Sequence, residues 1–214
     1  MKVAVFGANG QIGQHVVELL QQHPQHKAVA LVRKEKQLAV LNKQGIDARL
    51  IDLSAQVDEI SKALVGIDAV VFSAGSGGDT DGDMTLRIDL DGAVKAMEAA
   101  ELAGAKRFIM VSALQAHNRE FWHPDLVPYY AAKHYADREL LRSNLDYTII
   151  RPGLLTNNAS TGNIHANGQI TEGEIPREDV AKVIVTAIDK PNTIGKAFDM
   201  VSGDTPIEQA IEAL

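Results

Sequence analysis

Short apolar, β-branched runs recur down the chain and alternate with longer segments of helical composition, and no other feature narrows the fold so far. The runs cover residues 2–6, 28–32, 48–52, 69–73, 107–111 and 147–151, and each is near-continuous in apolar character. Strands covered on both faces read this way. Between them, 12–22, 34–43, 57–64, 84–103 and 129–143 carry Ala, Leu, Glu and Lys at helix-forming density. The order βαβαβα therefore holds to Arg151. It predicts right-handed crossovers and an α/β, doubly wound parallel sheet.

After Arg151 the pattern changes to a Gly/Asn/Thr-rich stretch at 156–173, a helix over about 176–189 and a last strand near 196–201. This remainder is too short for a second substrate domain, so the 214 residues are expected to form one domain, 1–214. Its substrate side would be completed by loops at about 113–128 and 154–175. Hydrophobic residues at 45% and charged residues at 23% suit a core in water. A net charge of −7 disfavours nucleic acid and anionic membrane as partners, leaving a small-molecule substrate. With no cysteine, thiolate metal sites and disulfides are excluded, and a reducing, cytoplasmic setting is expected. The first apolar run is too short for a signal-peptide core, and none reaches the length of a membrane span. Oligomeric state is not legible.

Between the first strand and the first helix lies GANGQIG, with Gly7, Gly10 and Gly13. A dinucleotide loop of the Rossmann type needs this setting. Gly7 permits the sharp turn off the strand, Gly10 lets backbone N–H groups approach a pyrophosphate, and Gly13 lets the helix pack closely while its N-terminus faces the anion. Asn9, Gln11 and Ile12 complete the loop. The spacing is GxxGxxG rather than GxGxxG; strand, helix and position at the chain start support the assignment together.

At the end of the second strand an NAD site usually places an acid for the ribose 2′-OH, and an NADP site an Arg for the 2′-phosphate. This sequence has Arg33 and Lys34 there, with no carboxylate at the strand end. NADPH is therefore expected in preference to NADH. A solvated charge pair opening a helix is the plainer reading of the same residues. Asp52, with Leu53 beside it, would meet the adenine amino group or cap a helix.

By the fourth strand the sequence resembles the atypical, extended-like branch of the short-chain dehydrogenase/reductases, described as NAD(P)-binding or epimerase/dehydratase-like proteins. GANGQIG is similar to the family's glycine loop, VVFSAGSGG to the loop under the nicotinamide-side ribose, which would engage Ser73, Ala74 and Gly75, and AGAKRFIMVSA to the fifth strand ending on the catalytic serine. YYAAKHYADRELLRSNLDYTIIRPGLL is similar to the tyrosine–lysine helix and the sixth strand. The resemblance spans nearly the whole chain. It implies Ser112, Tyr129 and Lys133 as catalytic residues, Lys133 also as a ribose contact, and backbone contact from Pro152, Gly153 and Leu154 to the carboxamide end of the cofactor.

Tyr129 and Lys133, four apart, lie one turn above each other on a helix face. Tyr130 is adjacent, and the spacing to Lys133 selects Tyr129. A nearby cation favours the phenolate and is expected to bring the phenol toward the range useful for proton transfer. Ser112, at the carboxyl end of strand five, would polarise a substrate carbonyl. Segment 113–128 should overhang this site; its Phe121, Trp122 and His123 would form an apolar lid or pack on their own domain, and His117 and His123 would assist proton transfer or stand exposed. Asp79, Asp81 and Asp83 imitate the start of a calcium loop, but Met84 and Leu90 stand where glycine and glutamate are required. The histidines show no metal spacing, His23 and His26 reading as a polar helix end, and no GxSxG elbow occurs. No metal is expected. The leading function is an NADP(H)-dependent oxidoreductase acting on a small carbonyl, quinone or flavin-like compound. The alternatives are an epimerase or dehydratase retaining its nicotinamide, and a non-catalytic NADPH sensor.

Overall fold

A computed structural model describes residues 1–77, 82–166 and 168–214; Asp79 and Asp81 lie outside the described residues. The first half runs β1 (Lys2–Phe6), α1 (Gln11–Gln22), β2 (Lys27–Val32), α2 (Glu35–Lys43), β3 (Asp47–Leu50), α3 (Val57–Ala63) and β4 (Ala69–Phe72). There follow α4 (Gly82–Met84), a π-helical stretch Thr85–Gly92, α5 (Ala93–Ala103), β5 (Arg107–Val111), α6 (Val127–Leu140) and β6 (Asp146–Pro152). The last part holds β7 (Leu154–Thr156), β8 (Asn163–His165), β9 (Glu174–Pro176), α7 (Arg177–Asp189), β10 (Lys196–Ser202), β11 (Thr205–Pro206) and α8 (Ile207–Glu212).

The main sheet has the order β3-β2-β1-β4-β5-β6-β10-β8-β11. It is parallel from β3 through β10, and β8 pairs antiparallel with both β10 and β11. The expected doubly wound α/β sheet is present. Strand order reverses between β1 and β4, and such a reversal opens a crevice beyond the carboxyl ends of the strands. Alternation along β1 shows how the core is divided. Val3 and Val5 join a cluster with α1 and α7, while Ala4 and Phe6 join the opposite cluster with α3 and α5.

Two polar clips fix the periphery. Arg107, which opens β5, is buried, and its guanidinium donates to the Asp146 and Ala187 carbonyls and to the Thr148 and Thr193 hydroxyls at 2.7–2.8 Å. Burial lowers its pKa to about 10, and the four acceptors compensate the desolvated cation. At the other clip Asp189 of α7 accepts from His26 Nε2 at 2.7 Å and pairs with His23 Nε2 at 3.2 Å. These three are the only His/Asp/Glu cluster of metal-binding reach among the described residues. His23 Nδ1 accepts the Gln25 backbone N–H at 3.2 Å, which puts the ring proton on Nε2, so that nitrogen has no lone pair for a metal. The cluster docks α1 against α7.

Several boundaries differ from the sequence expectation. The helix expected over 84–103 is interrupted by the π-helical stretch. The helix expected from Tyr129 begins two residues earlier, with Pro128 in its first turn, where a missing N–H costs nothing. The segment expected as loops at about 154–175 contributes β7 and β8, β7 pairing parallel with β9. β11 and α8 at the end of the chain were not expected.

Candidate active site

A continuous cleft crosses the carboxyl ends of β1 to β5. Its first compartment, about 300 Å³, runs from Gly7, Asn9 and Gly10 past Arg33, Asp52 and Leu53 to Ser73, Ala74 and Gly75. The second, about 560 Å³, shares Ser73, Ala74 and Gly75 and continues past Ile12, Asp89, Ser112, Tyr129 and Lys133 to Leu155 and Arg177. Both volumes lie in the usual range for small-ligand sites.

The glycine loop is built by backbone proximity. Gly7 has φ +79°, and a Cβ there would lie 2.7 Å from the Ala74 nitrogen; at Gly13 a Cβ would lie 2.1 Å from the Gly7 carbonyl oxygen. Gly10 meets nothing closer than that same oxygen at 3.1 Å, so its small size matters less to the protein than to whatever approaches from the cleft. The Gly10 N–H donates to Gly7 O at 2.8 Å, and the Gln14 side chain ties down Asn9 O at 2.9 Å. No side chain caps α1, and its first turn carries no acid. Free N–H groups and the positive end of the helix dipole thus face the cleft, a cradle suited to a pyrophosphate. Ser73 donates through Oγ to Phe6 O at 2.9 Å and ties the ends of β1 and β4 together below it.

At the other end of the first compartment Arg33 is exposed on the wall. Lys34 stands elsewhere: it is the N-cap of α2, its backbone N–H donates to Gln37 Oε1, and it does not wall the cleft. Asp52 reaches the wall while its Oδ1 accepts the Ser54 N–H at 2.8 Å. That bond, then the Ser54 side chain, holds its carboxyl below the usual range, with Arg33 adding a smaller effect. It closes a tight turn, and the N-cap of α3 is Gln56 instead.

The second compartment gathers the chemistry-bearing side chains. Ser112 is 3% exposed, its N–H donates to Ile150 O at 2.7 Å, and its Oγ has no partner among the described residues. Lys133 is buried, donates to Val111 O at 3.2 Å, and pairs with Asp89 Oδ1 at 3.3 Å. Asp89 in turn accepts the Ser76 N–H at 2.9 Å. Burial opposes the Lys133 ammonium, but Tyr129 and Asp89 outweigh it and its pKa is raised. The Lys133 nitrogen lies 5.8 Å from the centre of the Tyr129 ring. The phenol does not become more acidic, contrary to the sequence expectation: burial raises its pKa, Asp89 adds to the rise, and the opposing pull of Lys133 is smaller.

Asp89 is the residue that sequence reasoning missed. It sits in the π-helical stretch, whose wider turn occurs often at functional sites. The legible signal was a carboxylate four residues before Ala93, on the helix face that Ala93, Ala96 and Met97 bury.

The loop after Ser112 is pinned down. Leu114 N–H donates to Pro152 O, and Gln115, at φ +58°, donates its N–H to Asp199 Oδ1 at 2.8 Å. Trp122 donates to Ala116 O and stacks on Tyr130 with ring centres 5.9 Å apart. Phe121, Trp122 and His123 thus pack on α6 or stand exposed, and Asp125, Leu126 and Pro128 form the wall. His117, 3.8 Å from Asp199, stands exposed outside the cleft, its pKa lowered by partial desolvation and then by Arg151. Gln11, Pro152, Gly153 and Leu154 also do not wall it; Leu154 is 72% exposed, and its neighbour Leu155 faces the compartment.

Comparison with known proteins identifies the family of the fold that carries this cleft. A family model described as NAD(P)H-binding matches residues 7–191. The uncharacterized sugar epimerase YhfK of Bacillus subtilis (strain 168) is 55% identical over the full length of both chains. Among solved structures, a protein from Bacillus halodurans named as a candidate NAD-dependent epimerase/dehydratase superposes with a TM-score of 0.91 at 43% identity, each chain fully covered. The oxidoreductase ylbE from Lactococcus lactis also reaches 0.91, at 36% identity over 100% of this chain and 96% of that one. Among the described residues no helix is long and apolar enough to cross a membrane. The chain belongs to the NAD(P)H-binding family, on a Rossmann-type α/β fold of the kind shared by the short-chain dehydrogenase/reductases.

Proposed function

We propose that the protein is an NADP(H)-dependent oxidoreductase that reduces a small carbonyl, quinone or flavin-like compound. The observation that carries this reading is the unpartnered Ser112 Oγ, buried in the same cavity as Tyr129 and Lys133. A buried hydroxyl without a partner costs free energy, and a substrate oxygen would satisfy it. Bound NADPH would supply the hydride that such a reduction needs. The glycine loop would hold its pyrophosphate, Arg33 its 2′-phosphate, and Lys133 a ribose hydroxyl. Ser112 would polarise the substrate oxygen, and Tyr129, kept protonated by burial, would deliver a proton to it as charge develops. Lys133, held cationic by Asp89, would stabilise the phenolate left behind.

NADPH rather than NADH is favoured by Arg33 on the wall and by the lack of any carboxylate at the end of β2; Glu35 opens α2 and does not wall the cleft. The name carried by YhfK supports a second reading, an epimerase that takes a hydride and returns it. Such an enzyme would invert substrate with no net consumption of NADPH.

The test is loss of reduced-nicotinamide absorbance with a panel of aldehydes, quinones and flavins. Tyr129→Phe should lower turnover by about 10²–10⁴-fold with NADPH affinity little changed. Tyr130→Phe, whose ring packs on Trp122, should do much less. Turnover retained in Tyr129→Phe would remove the proton-transfer role, and NADPH binding without turnover of any compound would turn the reading to a sensor.

A further inference from the structure

Five N–H groups of a guanidinium need acceptors, and those of Arg177 are only partly supplied. Its Nη1 donates to Leu155 O at 3.1 Å and to Asn157 Oδ1 at 2.8 Å. Its Nε and Nη2 find no acceptor among the described residues, and no carboxylate there pairs with it. The side chain is half-buried on the wall of the compartment that holds Ser112 and Tyr129.

Among the described residues, the remaining charges around this compartment do not answer it. Asp89 is engaged by Lys133 and the Ser76 N–H. Asp125, whose side chain is 89% exposed, stands at the rim and accepts nothing from Arg177. The same compartment presents apolar surface from Leu126, Pro128 and Leu155. A cation fixed along one edge by a strand carbonyl and an asparagine, with donors left over and apolar surface beside it, suits an oxyanion on a compact apolar body.

We infer that Arg177 determines substrate specificity by gripping a carboxylate or phosphate oxyanion carried by the compound that Ser112 and Tyr129 address. The inference rests on the oxidoreductase reading for what happens to that compound, and stands apart from it for the binding itself. The substrate class becomes an anionic carbonyl compound.

The experiment is calorimetric titration of the protein saturated with NADP⁺ with three probes of similar body: benzoate, phenyl phosphate and uncharged benzamide. At least one oxyanion should bind about ten- to hundredfold more tightly than benzamide, and higher salt should narrow the gap. Benzoate ahead of phenyl phosphate identifies a carboxylate ligand; the reverse order identifies a phosphate. Arg177→Met should bring the favoured oxyanion down to the level of benzamide while benzamide itself is unchanged, which also reports an intact pocket. Arg177→Lys, which keeps the charge and loses the fork, should fall between.

Equal binding of all three probes by the wild-type protein, or no binding of any, would overturn the inference. So would an oxyanion preference that survives Arg177→Met. Arg177-dependent benzoate binding in a protein that oxidises no NADPH with any of the aldehydes, quinones or flavins would leave the anion site standing and remove the oxidoreductase reading.

Discussion

Asp89 and Lys133 form a buried ion pair, 2% and 6% exposed at the side chain, and cutting one side of it is the sharpest perturbation the site offers. Asp89→Ala leaves the Lys133 ammonium with the Val111 carbonyl alone and leaves the Ser76 N–H without its acceptor. Removing one partner of such a pair typically costs about 3–5 kcal/mol, because the other charge stays buried. In a chain of this length each kcal/mol moves Tm by roughly 2–4 °C, so a fall on the order of 10 °C is expected. Lys133 is held above its ordinary 10.5, so the lysine's share of the pair's contribution is complete at neutral pH and is lost as pH climbs through the raised value. Urea denaturation at pH 7 on wild type, Asp89→Ala, Lys133→Met and the double variant measures the coupling directly. The double variant, with neither charge left, should be more stable than Asp89→Ala alone. A loss under about 1 kcal/mol in Asp89→Ala, or strictly additive effects in the cycle, would refute the claim that the two residues act as one unit.

Two further expectations concern the first compartment. Gly13→Ala forces a methyl group to 2.1 Å from the Gly7 carbonyl oxygen and should lower stability, seen as a reduced denaturation midpoint. Gly10→Ala, with its nearest contact at 3.1 Å, should fold with near-normal stability and lose NADPH affinity; unchanged affinity by calorimetry would place the pyrophosphate elsewhere. Arg33→Ala should weaken NADPH about ten- to hundredfold and NADH little, and equal wild-type affinities for the two would remove the basis of the preference.

The strand-helix alternation was legible because parallel strands buried on both faces leave unbroken apolar runs, and β1, β4 and β5 begin where those runs do. The glycine loop was legible because its requirement is absolute: no other residue fits 2.1 Å from a carbonyl oxygen. What escaped depends on three-dimensional neighbours. β7 and β8 are only three residues each, β7 leading into the polar stretch and β8 inside it, and pairing rather than local propensity makes them. Asp89 looked like an ordinary helix carboxylate until the π-helical stretch turned it toward Lys133. Leu155 rather than Leu154 faces the cleft because side chains alternate along β7, so an assignment one residue away points to the opposite side. The acidity of Tyr129 was misjudged for a similar reason: spacing reveals the cation beside it and conceals the desolvation that a half-buried ring meets next to a buried lysine.

That last reversal bears on the direction of chemistry. A phenol lowered by Lys133 would be partly ionised near neutral pH and suited to accept a proton, as oxidation of an alcohol requires. Burial instead holds Tyr129 above its ordinary 10.0, so the protonated form prevails throughout the neutral range and is ready to donate. Reductive turnover should therefore be flat from neutral pH up to at least about 10 and decline only above the raised value. Asp89 contributes to that rise, so Asp89→Asn, which keeps an acceptor for the Ser76 N–H, should move the decline to lower pH. The profile is informative where a solvent isotope effect shows that proton transfer limits the rate. A decline setting in between pH 7 and 9 under that condition would mean that Lys133, and not burial, sets the proton affinity of Tyr129.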